Sequence, residues 1–224
     1  EHTPYPKPRT DIIVLGFARP PGGAPVTRME VRVSVGDRFR YTLQVTGDRV
    51  WERRGDDLVP SAPIPFLQLP LSLERAFGGA ATCEWGALPY PHNPMGRGFC
   101  LDEQQAEGAP LPNLEDPRDP LTKWQDRPPP ASPGLYPMEG GLRTGKPRLS
   151  DGDPRPTPSD DHLLHCWAHP DLMMSGVPEV DEVVRVEGIL ADGPLEVRVP
   201  AYEAVAVVEY GGERLELPSK LDTI

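Results

Sequence analysis

Proline is spread through almost the whole chain and restricts the folds that are open to it. The sequence has 31 prolines in 224 residues. Because proline lacks a backbone N–H and clashes with the preceding helical turn, a chain with such regular prolines cannot build long helices. The distribution excludes coiled coils and helical repeats, and it favours strands joined by turns and ordered loops.

Two neighbouring stretches alternate between apolar and polar residues, which is the pattern of strands with one buried face. The first covers residues 28–35, with valine or methionine at every second position, and the second covers 39–46. The Gly36-Asp37 link between them predicts a β-hairpin. Further strands are predicted at 11–18, 49–52, 183–190, 195–199, 204–210 and 213–217.

The sequence between these strands is less regular, with short apolar runs between prolines and glycines. A disordered linker is one interpretation, but the tryptophans and tyrosines in this part of the chain favour ordered loops that pack on a sheet. A helical turn is predicted at 72–77 and a short helix after Ser159. We predict one mainly β domain over residues 1–224, sandwich-like or with antiparallel sheets. It has long Pro/Gly-rich ordered loops, an irregular insert at about 53–180 and C-terminal strands in 181–224.

The charge of the chain is acidic and unevenly distributed. There are 34 acidic and 23 basic residues, a net charge of −11, and the excess lies in residues 151–224, which hold 16 acids and 5 bases. This balance argues against nucleic acid as a partner, and no apolar run is long enough to span a membrane. Three cysteines and the lack of a signal peptide favour a reducing cytoplasm.

A cluster of histidines and one cysteine is the best candidate for a metal site. The spacing matches no known zinc motif, and rim or solvated residues are the simpler interpretation. We therefore predict no metal and no cofactor, and keep a zinc-stabilised interaction module as an alternative. The weak candidate ligands are His162, His165, Cys166 and His169.

Acidic residues in the loops suggest a second alternative, a hydrolase. Glu74 together with Glu115 or Asp116 would supply the two carboxylates that acid–base chemistry needs. Acids beside arginine and asparagine more often form hydrogen-bonded scaffolds, because loop backbone lacks strand partners. The scaffold interpretation is favoured, so we predict that the chain is not an enzyme.

Five sequence words occur in an order typical of one bacterial family. They lie at residues 7–16, 47–51, 74–79, 93–99 and 111–117. With these words the chain resembles domain-of-unknown-function family 2169, which is found in type VI secretion gene clusters. The resemblance is strong over about residues 7–127 and weaker towards the end.

The resemblance implies an adaptor, or effector-specific chaperone, in the bacterial cytoplasm. Such a protein binds a toxic effector and helps to load it onto the VgrG or PAAR spike. The family offers no catalytic residues to transfer to this chain. It usually has more sequence before residue 7 and after residue 223, so we expect this chain to be a fragment trimmed at both ends.

We expect the loops around residues 74–79, 93–99 and 111–117 to pack together through a polar network. In this hypothesis Arg75 and Arg97 bind Glu115, Asp116 or loop carbonyls. The expected network residues are Glu74, Arg75, Asn93, Arg97, Asn113, Glu115 and Asp116. Because aromatic residues dominate interface energies, an exposed aromatic side chain is expected to contact the effector. The candidates, each with core burial as the alternative, are Trp51, Trp85, Phe99 and Trp124.

Overall fold

A computed structural model describes residues 9–135, 168–201, 205–210, 213–218 and 224. The chain is mainly β with antiparallel sheets, as the sequence predicts. The strands are β1 (Arg9–Asp11), β2 (Phe17–Ala18), β3 (Arg28–Val35), β4 (Phe39–Thr46), β5 (Trp51–Arg54), β6 (Asp57–Pro60), β7 (Leu69–Pro70), β8 (Phe77–Gly78), β9 (Ala80–Cys83), β10 (Gly86–Pro89), β11 (Arg97–Gly98), β12 (Leu114–Glu115), β13 (Met173–Ser175), β14 (Val183–Glu187), β15 (Leu195–Arg198), β16 (Val205–Tyr210) and β17 (Glu213–Pro218). The described helices are α1 (Glu103–Ala106) and the short 3-10 helices Pro21–Gly23, Leu73–Arg75 and Pro170–Leu172.

The largest sheet has five antiparallel strands in the order β12-β4-β3-β14-β15. The hairpin predicted from the alternating residues forms its centre, with Val35 opposite Phe39 across a three-residue loop. Successive side chains of a strand point to opposite faces. One face of the hairpin is therefore buried valine, leucine and tyrosine, and the other carries exposed arginines and glutamate.

The apolar residues form two clusters. The larger covers the buried face of the five-stranded sheet, and each large apolar side chain buried there contributes about 1.5–3 kcal/mol. Its largest members that are almost fully buried are Ile12, Val31, Val33, Val35, Leu43, Val45, Leu71, Leu114 and Leu172. The second cluster lies beneath the loops and consists of Trp51, Phe77, Tyr90, Cys100, Ala106, Leu111 and Leu121.

The strand predicted over residues 11–18 is different in the structure. Strand β1 ends at Asp11, where it pairs with β13. The next three residues donate their N–H groups to separate segments: Ile12 to Leu172, Ile13 to Ile224 and Val14 to Pro133. The prediction of one strand over residues 11–18 was therefore wrong, although Ile12 and Val14 are buried. An apolar run indicates that its residues are buried, but it does not indicate which backbone segments lie beside them.

The helical turn predicted at 72–77 is a single 3-10 turn, Leu73–Arg75. It is short because Ala76 returns to an extended conformation and the following strand β8 pairs with β11 in parallel. None of the helices in the described ranges has the length and the apolar character that crossing a membrane requires.

Candidate interaction surface

Four of the five sequence words come together in space. We call residues 47–51, 74–79, 93–99 and 111–117 the loop cluster. Backbone hydrogen bonds join its parts: Arg97 donates to Ala76 at 3.0 Å, Asn113 to Arg75 at 2.8 Å and Leu111 to Arg49 at 2.9 Å. Because these segments lie far apart along the chain, their contact fixes the relative position of the loops.

Asn93 is fully buried at the centre of the loop cluster. Its side-chain amide donates to the carbonyls of Leu73 at 2.7 Å and Phe77 at 3.1 Å, so one side chain supplies partners to two loop carbonyls. Gly78 packs directly on it with φ of +148°, and a side chain there would clash with the Asn93 carbonyl. Only glycine combines this backbone conformation with this close approach.

Asp48 is the acid that both Arg75 and Arg97 of the loop cluster contact. Its Oδ1 accepts from Asn113 Nδ2 at 3.0 Å, and Arg75 Nη1 and Arg97 Nη1 each lie 3.4 Å away. The Nε of Arg97 also donates to the carbonyl of Glu74 at 3.1 Å. Burial, followed by the nearby charge of Arg75, lowers the pKa of Arg97.

The sequence hypothesis considered loop carbonyls as partners of Arg97, and the carbonyl of Glu74 is one. Asp48 was not among the expected network residues. Glu115 pairs with Arg49 instead, and Asp116 pairs with Arg118.

Glu115 forms a buried ion pair with Arg49, and its Oε1 accepts the N–H of Leu121 at 3.1 Å. The side chains of both ion-pair partners are less than a tenth exposed. Both carboxylate oxygens of Glu115 are thus occupied by donors of this chain. The contacts describe a structural carboxylate and not a group open to substrate.

The other two acids of the hydrolase hypothesis have lowered pKa values. A hydrogen bond from Ser72 lowers the pKa of Glu74. Burial alone would raise the pKa of Asp116, but hydrogen bonds from the side chain and backbone of Arg118 outweigh it and lower that pKa. A general acid at neutral pH needs a raised pKa, so the direction of these shifts does not favour acid catalysis by this pair.

Strands β9 and β10 form a hairpin that leaves the loop cluster, and we call residues 80–89 the Trp85 hairpin. Its base is closed by Tyr90, which donates to the carbonyl of Gly79 at 2.8 Å, and by Gly79, which donates to Asn93 at 2.8 Å. Its tip is a two-residue link, because Cys83 faces Gly86 across the turn. The base of the hairpin is therefore fixed while the tip projects away from it.

A glutamine side chain holds the outer edge of β9. The N–H of Thr82 donates to Gln105 Oε1 at 3.2 Å, and Gln105 Nε2 donates to the carbonyl of Thr82 at 3.0 Å. This pair of bonds is the one that a neighbouring strand would make. Gln105 is itself positioned by Asp102, which caps α1 by accepting the Gln105 N–H at 2.8 Å. The sequence pattern did not predict this helix or its role.

The structure separates the four aromatic candidates. Trp85 stands at the hairpin tip with 93% of its surface exposed. Trp51 is fully buried in the second apolar cluster, so at this position the alternative of core burial holds and the residue is not an exposed contact. Its strand had been recognised, but the strand pattern did not show that the loops cover it.

Phe99 and Trp124 are half-buried against the same cluster. The Phe99 ring lies 5.2 Å from that of Tyr90 and beneath the guanidinium of Arg127 at 5.1 Å. The Phe99 ring therefore packs within the protein through these contacts. Trp85 is therefore the candidate whose exposure suits recognition of a partner.

Three of the four candidate zinc ligands, His162, His165 and Cys166, lie outside the described residues. The fourth, His169, is buried at the start of the Pro170–Leu172 turn, where its Nδ1 accepts the N–H of Asp171 at 3.2 Å. Burial lowers the pKa of His169. Within the described ranges, no three or more histidines, cysteines or acids are grouped as a metal site requires.

The fold and this surface define a mainly β protein in which a buried polar network supports a projecting hairpin. Comparison with protein-family models gives a match over residues 2–224 to the family described as "Uncharacterized protein conserved in bacteria (DUF2169)". The chain belongs to this family, which is the one that its sequence words indicate. No curated protein and no solved structure matches the chain.

Proposed function

We propose that the chain is a cytoplasmic adaptor of the type VI secretion system. It binds a toxic effector and assists its loading onto the VgrG or PAAR spike. The chain belongs to family DUF2169. The resemblance of its sequence words to this family, which is found in type VI gene clusters, supports the role. The structural observation that carries the proposal is Trp85, whose side chain is 93% exposed on a hairpin with a fixed base.

An exposed tryptophan on a rigid element suits protein recognition for two physical reasons. Tryptophan buries a large area on contact and is among the residues that contribute most binding free energy at interfaces. Fixing its backbone before binding reduces the conformational entropy lost on association. Leu88 on the same hairpin is a second exposed apolar side chain.

Affinity purification from a bacterial host tests the proposal. The tagged wild-type chain should retain an effector encoded in a type VI gene cluster, together with VgrG or PAAR, identified by mass spectrometry. Trp85→Ala should weaken effector binding by about 2 kcal/mol, roughly 30-fold, with an unchanged unfolding temperature.

The matched control is Ile64→Ala, which removes another exposed apolar side chain outside the hairpin. This control should bind as the wild type does. Recovery of no type VI protein with the wild-type chain contradicts the function, whereas unchanged binding by Trp85→Ala contradicts only the role of the hairpin.

A further inference from the structure

A second surface lies at the edge of the main sheet, away from the Trp85 hairpin in sequence. Strand β12 pairs with Gln44 and Val45 of β4. Among the residues that the structure describes, no strand pairs with the first half of β4 on this side. Thr46 donates its N–H towards the segment that leads into β12. Because backbone direction alternates along a strand, the N–H and C=O groups of Thr42 and Arg40 point to the same side.

A cleft of about 490 Å³ lies beside this uncovered edge. Three guanidinium groups line it, those of Arg32, Arg40 and Arg118, together with the carboxylates of Glu30 and Asp171. Arg32 pairs with Glu30 and Arg118 pairs with Asp116, so acids of this chain already neutralise these two guanidinium groups. Arg40 is the lining arginine with only a longer acidic contact, at 3.6 Å.

The guanidinium groups differ in how firmly they are held. Arg118 is fixed by Asp116, with Nε 2.9 Å from Oδ1 and Nη2 2.6 Å from Oδ2, and it still exposes 73% of its side chain. Arg40 exposes 77% and has its acidic contact at 3.6 Å with Asp37, which is fully exposed. Such a surface contact contributes little free energy, so an incoming carboxylate can displace it.

We propose that this cleft, here called the β4 cleft, binds an extended acidic segment of a partner protein. The main chain of the segment adds to the edge of β4 at Arg40 and Thr42, as extended peptides do at other uncovered strands. Its carboxylates pair with Arg40 and Arg118 through charge-assisted hydrogen bonds.

The lining favours an extended segment over a free small anion. Glu30 and Asp171 repel an anion that diffuses freely within the cleft, whereas a strand holds its carboxylates at fixed positions beside the guanidinium groups. A free anion also has no row of donors and acceptors to match the backbone of β4. The inference does not depend on what the Trp85 hairpin binds.

Selection from a random-peptide phage library against the whole wild-type chain tests the proposal. Peptides that bind should carry aspartate or glutamate, lose about tenfold or more in affinity for Arg40→Glu, and bind more weakly as salt rises. The matched control is Arg54→Glu, an exposed arginine of β5 that should bind as the wild type does. Thermal unfolding shows whether each variant is folded.

Backbone pairing is tested on a selected peptide with N-methyl groups at alternate residues. Methylation in one register should weaken binding about tenfold and in the other should not, because only every second N–H of an edge strand faces β4. In the selection, the proposal is overturned if the selected peptides lack acids, if Arg40→Glu binds them as the wild type does, or if no peptide distinguishes this variant. It is also overturned if both methylation registers weaken binding equally, or if free citrate competes with the affinity of the peptide.

Discussion

Arg49 and Glu115 carry opposite charges in a part of the loop cluster that is almost closed to solvent. Taking both charges out of water costs free energy that their mutual attraction repays only while both are present. The contribution of either residue to stability therefore depends on the presence of the other. The pair is a structural unit that ties the chain after β4 to β12.

Breaking this pair on one side should be more damaging than removing it. Arg49→Met and Glu115→Gln should each lower the free energy of unfolding by about 3–5 kcal/mol, since each leaves one buried charge unpaired. The double variant should lose much less than the sum, because glutamine still accepts from Leu121 and no buried charge remains. Urea denaturation measures all four proteins, and additive losses contradict the explanation.

Asp116 should contribute to the pH dependence of stability. Its pKa is lowered in the folded chain, so the folded state binds fewer protons than the unfolded state at acidic pH. The stabilisation is present above the unfolded pKa of about 4 and is lost as the pH falls through the lower folded value. Asp116→Asn keeps an oxygen for the Arg118 N–H but removes the charge.

The wild-type chain should therefore lose more unfolding free energy than Asp116→Asn between about pH 5 and about pH 2. Urea denaturation at several pH values measures the difference. Asp37→Asn, which changes a fully exposed carboxylate in the β3–β4 loop, is the control and should follow the wild type. If the unfolding free energies of the wild type and Asp116→Asn change equally with pH, Asp116 is excluded as a source of the pH dependence of stability.

At the scale of elements, the Trp85 hairpin is held by its base and by one side chain of α1. Gln105→Ala removes both hydrogen bonds to Thr82, which should cost about 1 kcal/mol for each bond. Amide hydrogen exchange of residues 80–89 should become faster because the edge of β9 loses its partner. Gln104→Ala, the neighbouring exposed glutamine, should not change the exchange. Equal protection in both variants means that the base alone holds the hairpin.

The elements that the sequence predicted are those whose pattern is long. The alternation around Gly36 gave the β3–β4 hairpin, and similar patterns gave β14 to β17. Strands of two residues such as β8 and β11 leave no period to detect, and their pairing joins segments about twenty residues apart. Sequence words identified the loops that meet, but not which acid they share, because an exposed Asp48 has the same local pattern as any turn aspartate.

On the scale of the whole molecule, charge and apolar surface are distributed over different elements. The acidic excess belongs to residues 151–224, whereas guanidinium groups line the β4 cleft and tryptophan stands on the Trp85 hairpin. No residue that lines the cleft belongs to the hairpin. An adaptor of the proposed kind has to hold an effector and a spike protein, and two separate surfaces of different chemistry meet that requirement.

The two surfaces should act independently. Because they share no residues, Trp85→Ala should leave the affinity of a peptide selected for the β4 cleft within about twofold of the wild type. Arg40→Glu should likewise leave the Trp85-dependent capture of the effector within about twofold. Fluorescence anisotropy with the labelled peptide and quantitative affinity purification measure the two effects. Loss of both activities in either folded variant means that the hairpin and the cleft form one binding site for one partner, and the division of partners between them is then wrong.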